Sequence, residues 1–194
     1  MTRIVAGSAG GRRLRTPPGD RTRPTADRVR EAMFSALESM LGSLEGLRVL
    51  DLYAGSGALG LEALSRGAVS ATFVESDRRT GGLVSANARD LGLEGAQVMT
   101  RTVQAYVERA APERFDLVLA DPPYTLEAAD LSSVLSALEV RGWLAADAVV
   151  VVERSRRSPG PTWPRGIEAV RRRDYGQTAL WYGRRCDRPE CSGS

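Results

Sequence analysis

With 194 residues and 42% hydrophobic content, the chain has room for one α/β domain and a small appendage. The net charge is +3, every basic residue is arginine and histidine is absent, which removes the usual general base, the Schiff-base lysine and much of hydrolase and lyase chemistry. No run of about 18 apolar residues suggests a membrane span, and the arginine-bearing start has no apolar core of a secretory signal, so a cytoplasmic protein is expected.

The positive charge is concentrated at the start. Eight arginines fall in the first thirty residues against only Asp20 and Asp27. Arg3 to Ala6 and Arg13 to Arg15 flank the glycine-rich turn Gly7 to Gly11, a pattern that predicts a small basic β-hairpin. A Pro-rich stretch follows, ending in Arg23-Pro24-Thr25. A helix is predicted to begin near Thr25, with Val29, Met33, Phe34, Leu37, Met40 and Leu41 at helical spacing and Gly42 as its stop. Residues 1–45 are thus expected to form a basic appendage that faces a polyanion. Its candidate contacts are Arg12, Arg13, Arg23, Thr25 and Arg28.

The core begins at Val49 to Tyr53, a short apolar strand, and continues through Gly55-Ser56-Gly57 into a helix carrying Leu59, Leu61, Ala63 and Leu64. Strand, glycine turn and helix form the first βα unit of a doubly wound sheet, where ligands sit beside the turn. Gly55 to Gly60 also satisfies G-x-G-x-x-G, the dinucleotide fingerprint. Asp51 argues against that ligand, because a carboxylate four residues before the turn repels a pyrophosphate and suits a cation. S-adenosylmethionine, with its sulfonium and amino group, meets that requirement; a helix cap or salt bridge is the structural alternative for Asp51.

Further strands are predicted at Ala71 to Val74, Gln97 to Thr100, Phe115 to Ala120 and Ala148 to Val152. Helices are predicted at Arg79 to Leu91, Val103 to Ala110 and Leu126 to Leu138. Ile167 to Tyr175 and Ala179 to Gly183 read as a closing hairpin around Gly176-Gln177. The α/β domain is placed at 46–186, with 187–194 as a disordered tail. Cys186 and Cys191 make neither a zinc site nor a disulfide framework and read as incidental. Glu75 ends the second strand, where an acid accepts hydrogen bonds from ribose hydroxyls, with Asp77 as its alternative.

Asp121-Pro122-Pro123-Tyr124 follows a wholly apolar strand. Two prolines hold the backbone extended and remove two N–H donors, leaving a carboxylate and carbonyls as acceptors for an amino group. Tyr124 adds an aromatic face for a planar base.

Together, Asp51 to Gly57 and, seventy residues after Asp51, Asp121 to Tyr124 resemble the class I, S-adenosylmethionine-dependent amino-methyltransferases, which carry an [Asn/Asp]-Pro-Pro-[Tyr/Phe] motif. Arg23-Pro24-Thr25-x-Asp27-Arg28-Val29-Arg30-Glu31 and Ala58 to Gly67 resemble the bacterial 16S rRNA guanine-N2 methyltransferase family. The resemblance implies a Rossmann-like, mostly parallel seven-stranded sheet with an antiparallel C-terminal hairpin. It implies cofactor contacts at Asp51, Ala54, Gly55, Gly57, Glu75 and Val103 and a catalytic set of Asp121, Pro122, Pro123 and Tyr124. It also implies ribosomal RNA as partner, within a small-subunit assembly intermediate, for a monomer without metal. The rival readings are an amino-methyltransferase of DNA adenine, DNA cytosine or a protein glutamine, an NAD-dependent oxidoreductase, and a non-catalytic RNA-binding protein.

Overall fold

The computed structural model describes residues 2–17 and 24–186, the side chains of 24–26 excepted. The helices are α1 (Pro24–Leu41), α2 (Ala58–Ser65), α3 (Arg78–Leu91), α4 (Val103–Val107) and α5 (Ala128–Val140). The strands are β1 (Arg48–Leu52), β2 (Ser70–Glu75), β3 (Ala96–Thr100), β4 (Phe115–Ala120), β5 (Leu144–Ser155), β6 (Ile167–Tyr175) and β7 (Thr178–Arg185). They form a seven-stranded sheet in the order β3-β2-β1-β4-β5-β7-β6. β1 to β3 pair in parallel, as do β4 and β5, and β7 runs antiparallel to both β5 and β6. This is the α/β architecture with an antiparallel C-terminal hairpin that the sequence predicts. The chain divides into two compact units, 1–101 and 102–194.

In the first unit, β1 and β2 read as almost unbroken apolar runs because both of their faces are covered. α1 buries Val29, Met33, Phe34 and Leu37 and ends where Gly42, at φ +80°, takes the left-handed conformation that closes a helix. Pro24 supplies its first residue, where a missing N–H leaves no helical hydrogen bond unmade.

The N-terminal segment is narrower than the expected hairpin. It has one antiparallel bridge, Arg3 to Arg13, flanked by hydrogen bonds from Ile4 N to Arg12 O and from Leu14 N to Thr2 O, each 2.9 Å. A longer ladder is pre-empted by side chains of other elements. Glu62 on α2 accepts the amides of Val5 at 2.7 Å and Ala6 at 3.0 Å, and Asn87 on α3 accepts the amide of Arg15 at 2.8 Å. Ile4 and Leu14 are core residues, so this segment is built into the unit.

Glu62 is fully buried. Besides the two amides it meets Arg66 Nε at 2.8 Å and Arg30 Nε at 3.6 Å. Arg30 reaches Asp27 at 2.9 Å, and Arg66 reaches Glu38 at 2.9 Å. One carboxylate thereby ties the N-terminal segment and α1 to the helix that follows the glycine turn.

In the second unit, Trp143 is fully buried, donates its Nε1 to Val107 O at 2.8 Å and packs against Tyr106 and Phe115. Three elements of this unit depart most from their predicted ends. α4 stops at Val107, and soon after it the Ala111 amide turns to Arg141 O. α5 starts at Ala128 because Leu126 donates its amide to Pro123 O, closing a turn. β5 runs twelve residues rather than five, since Asp147 at φ +58° and a register shift against β4 absorb the irregularity that hides its first half from a periodicity reading. The Cys186 amide donates to Gly166 O at 2.9 Å and so anchors the end of β7, while Cys191 lies outside the described residues. The predicted tail, 187–194, lies outside the described residues. No helix is long and apolar enough to cross a membrane among the described residues.

Removing the Glu62 carboxylate strips Arg30 and Arg66 of one of their two acids each and leaves the amides of Val5 and Ala6 without their acceptor, so a buried network is broken on one side. Glu62→Ala is expected to destabilise the protein by about 3–5 kcal/mol in urea unfolding. A loss under about 1 kcal/mol, the size of an exposed pair, would contradict this role.

Candidate active site

The glycine turn after β1 is held by two acids. Asp51 is 1% exposed, and its Oδ2 accepts the Gly60 amide at 2.8 Å. Gly57, the N-cap of α2, has φ +82° and no side chain to cap the helix. Asp51 does so from the strand, satisfying an amide in the first turn of α2. The cap considered as its structural alternative is therefore present. Such a cap also places a negative charge at the positive end of the helix.

Glu75, half-buried at the end of β2, accepts the Gly55 amide at 3.0 Å through Oε2 and the Asp77 amide at 2.8 Å through Oε1. Its orientation is thus set before any ligand arrives. Asp77 instead N-caps α3, accepting Thr80 N at 2.7 Å. That backbone hydrogen bond holds its carboxyl below the usual range.

Gly60 shows why the third glycine of the pattern is needed. A Cβ there would lie 2.3 Å from the Phe73 ring, so only glycine lets α2 settle on β2. Gly55 is the opposite case, at φ +55° with nothing within 4 Å of a would-be Cβ. It leaves an open cradle beside Glu75. Ala54 is buried and donates to Val74 O at 3.1 Å. Asn87, which no sequence signal singled out, donates to Ser56 O at 3.1 Å and Arg15 O at 3.0 Å, locking the turn to the N-terminal segment.

In the second unit, Asp121 is exposed at the end of β4, Pro122 is buried, and Pro123 and Tyr124 are exposed. The Pro123 carbonyl is taken by Leu126 N at 2.9 Å, whereas the Pro122 carbonyl accepts no hydrogen bond among the described residues. Tyr124 is 78% exposed, an unusual degree for an aromatic side chain. Arg154, which sequence reasoning also missed, is buried on β5 and donates Nη2 to Leu126 O at 3.1 Å, fixing the end of this loop. Val103 is buried at the first position of α4.

The arginines of the N-terminal segment are more committed than their sequence suggests. Arg12 donates Nη1 to Leu91 O at 3.0 Å and Nη2 to Asp90 O, closing the C-terminal end of α3. Arg3 pairs with Asp27 at 3.2 Å and Arg15 with Asp90 at 2.6 Å. Arg13 and Arg28 are exposed and form no ion pair among the described residues. Arg23 lies outside the described residues, as does the side chain of Thr25.

The family model described as "Conserved hypothetical protein 95" matches residues 2–184. The chain belongs to that family. It is 36% identical over 178 residues to the "Ribosomal RNA small subunit methyltransferase D" of Escherichia coli strain K12, covering 91% of this chain and 86% of that protein. It is 35% identical over 182 residues to the "Putative rRNA methyltransferase YlbH" of Bacillus subtilis strain 168, covering 92% and 96%. A solved structure described as "Putative methyltransferase yhhF" from Escherichia coli superimposes with a TM-score of 0.84 at 33% identity, covering 96% of this chain and 99% of that one. This member of the family is a methyltransferase with the class I fold.

Because Asp51 caps α2, its loss is expected to act on stability before any ligand is added. Asp51→Ala should cost about 0.5–2 kcal/mol, the range for a lost cap, in denaturant unfolding of the ligand-free protein. An unchanged midpoint would show that the Gly60 hydrogen bond does not stabilise the fold.

Proposed function

We propose that this protein transfers a methyl group from S-adenosylmethionine to the exocyclic N2 amino group of a guanine in 16S ribosomal RNA. The observation that carries the reading is the acceptor pair at Asp121 and Pro122: a carboxylate and an uncommitted carbonyl on adjacent residues, beside an exposed tyrosine. Two acceptors side by side suit an –NH2 group, which offers two hydrogens. The names of the two curated relatives support ribosomal RNA as the substrate. In the cell the enzyme acts as a cytoplasmic monomer on RNA presented by a small-subunit assembly intermediate.

The first unit fits the cofactor. The Gly55 and Gly60 amides, which a pyrophosphate would need, already donate to Glu75 and Asp51. Two carboxylates at one helix start repel an anion and favour a cation. Glu75 keeps lone pairs for ribose hydroxyls, and the open cradle at Gly55 admits the ligand close to the backbone. Ala54 and Gly57 complete the proposed contacts of this unit, and Val103, in the second unit, is a further proposed contact. The NAD-dependent reading loses its phosphate site on the same ground.

When bound, S-adenosylmethionine supplies an electrophilic methyl group on a positively charged sulfur. The chain's own residues prepare the nucleophile. The guanine amino nitrogen has its lone pair delocalised into the ring, so it attacks poorly. The Asp121 carboxylate and the Pro122 carbonyl each accept one N–H, which localises the lone pair and aims it. The carboxylate also balances the positive charge that grows on nitrogen, and the proton leaves to water. Pro123 keeps the loop extended, and Tyr124 stacks on a base that is unpaired or flipped out. Arg13 and Arg28, with Arg12, Arg23 and Thr25, are the proposed N-terminal contacts to RNA.

Asp121→Ala should lower single-turnover methyl transfer to small ribosomal subunits by about a hundred- to a thousandfold, with S-adenosylmethionine binding by calorimetry near normal. Asp121→Asn keeps an acceptor oxygen and should retain part of the rate. An alanine variant at full single-turnover rate, or binding of NAD as tight as that of S-adenosylmethionine, would overturn the assignment.

A further inference from the structure

Apart from Arg154, which fixes the end of the loop after β4, the basic residues of the second unit take no part in the proposed methyl transfer. β6 is the last strand of the sheet and carries Arg171, Arg172 and Arg173 in sequence. Arg165 lies just before it, in the turn closed by Ile167 N to Pro164 O at 3.0 Å. Arg157 follows Arg156, whose amide donates to Gln177 O at 2.7 Å and so brings the start of the β5–β6 connection beside the β6–β7 turn. Arginines therefore mark both ends of β6 and its length, roughly 30 Å for nine residues at about 3.3 Å each.

Their partners distinguish them from the N-terminal set. Asp174 is shared by Arg172, at 2.8 Å, and Arg156, at 3.6 Å. Arg172 also lies over the Trp181 ring at 4.6 Å, so it is held in place. Arg157, Arg165, Arg171 and Arg173 form no ion pair among the described residues. In the N-terminal segment and α1, Arg3, Arg12, Arg15 and Arg30 are committed to carboxylates and backbone carbonyls of their own unit, and among the described residues only Arg13 and Arg28 form no such contact. Charges on an edge strand also discourage strand-to-strand aggregation. That accounts for β6 itself, yet not for Arg157 and Arg165 outside it.

We propose that the β6 edge, through Arg157, Arg165, Arg171 and Arg173, is a second contact surface for the phosphate backbone of the RNA substrate. The inference rests on ribosomal RNA being the substrate and adds where much of the affinity resides. Side chains two residues apart on a strand are about 6.6 Å apart on one face, so Arg171 and Arg173 can engage successive phosphates of one strand. Contacts of this kind carry no base specificity; they position the RNA and make its binding depend on salt.

The test uses the full-length protein with all four residues changed to glutamine, and a second variant with all four changed to lysine. Binding to a small-subunit rRNA fragment is followed by fluorescence anisotropy across a salt series. The glutamine variant should bind at least about tenfold more weakly at low salt, with a log–log salt slope shallower by about 0.7–0.9 per lost contact. S-adenosylmethionine affinity, melting temperature and single-turnover rate at saturating RNA should match the parent. The lysine variant should restore the slope, since charge alone is required. Unchanged affinity and slope in the glutamine variant would overturn the inference while leaving the substrate assignment intact. Normal binding to naked RNA with loss only on assembled particles would also overturn it, assigning the edge to a ribosomal protein. A parent that neither binds nor methylates ribosomal RNA would remove the substrate reading and this inference together.

Discussion

The bond from the Gly60 amide to the Asp51 carboxylate links strand β1 to helix α2 across a turn that has no capping side chain of its own. It works only because both partners are buried and close. Gly60 has no Cβ to strike Phe73, so α2 lies near enough to the sheet for a strand residue to reach its first turn. Glu75 holds the other side of the turn through Gly55. The result is a glycine turn whose amides are already answered by two fixed carboxylates.

α2 is held as firmly on its far side. Glu62 collects two backbone amides and the Arg66 guanidinium as hydrogen-bond donors, with Arg30 as a longer ion pair at 3.6 Å, and these offset the cost of removing its charge from water. The N-terminal segment and α1 are fastened to the same helix that starts at the glycine turn. Asn87 adds a third tie, from α3 to both Ser56 and Arg15. Anything that displaces the N-terminal segment therefore disturbs the glycine turn. Truncating it would test the fold as much as RNA binding.

The two arginine-rich regions show how charge acquires meaning. In the first unit, burial and proximity to Asp27, Glu62 and Asp90 convert several guanidinium groups into structural ties. In the second unit, Asp174 on the edge strand pairs with Arg156 and Arg172, and Arg157, Arg165, Arg171 and Arg173 form no ion pair among the described residues. A guanidinium paired with a carboxylate has little left to offer a phosphate, whereas an exposed, unpaired one has all its donors available.

The architecture and the chemical motifs were legible in the sequence because their causes are local. Apolar runs ending in Gly55 or in Asp121-Pro122-Pro123 mark strands and their carboxyl ends, and Phe115 to Ala120 and Ile167 to Tyr175 were delimited to the residue. Glu75 and Asp121 are identifiable because each stands at the end of such a run, and Asp51 because it interrupts one. Partnership was not legible. Glu62 lies 57 residues from the amide of Val5, and Asn87 lies 72 from that of Arg15, and no spacing rule connects residues that only packing brings together. For the same reason the crowd of arginines at the start reads as an RNA arm, although tertiary structure gives several of them acids and carbonyls of their own. Composition states how many charges a chain carries; which of them remain available for a ligand is decided by what the folded chain places beside them.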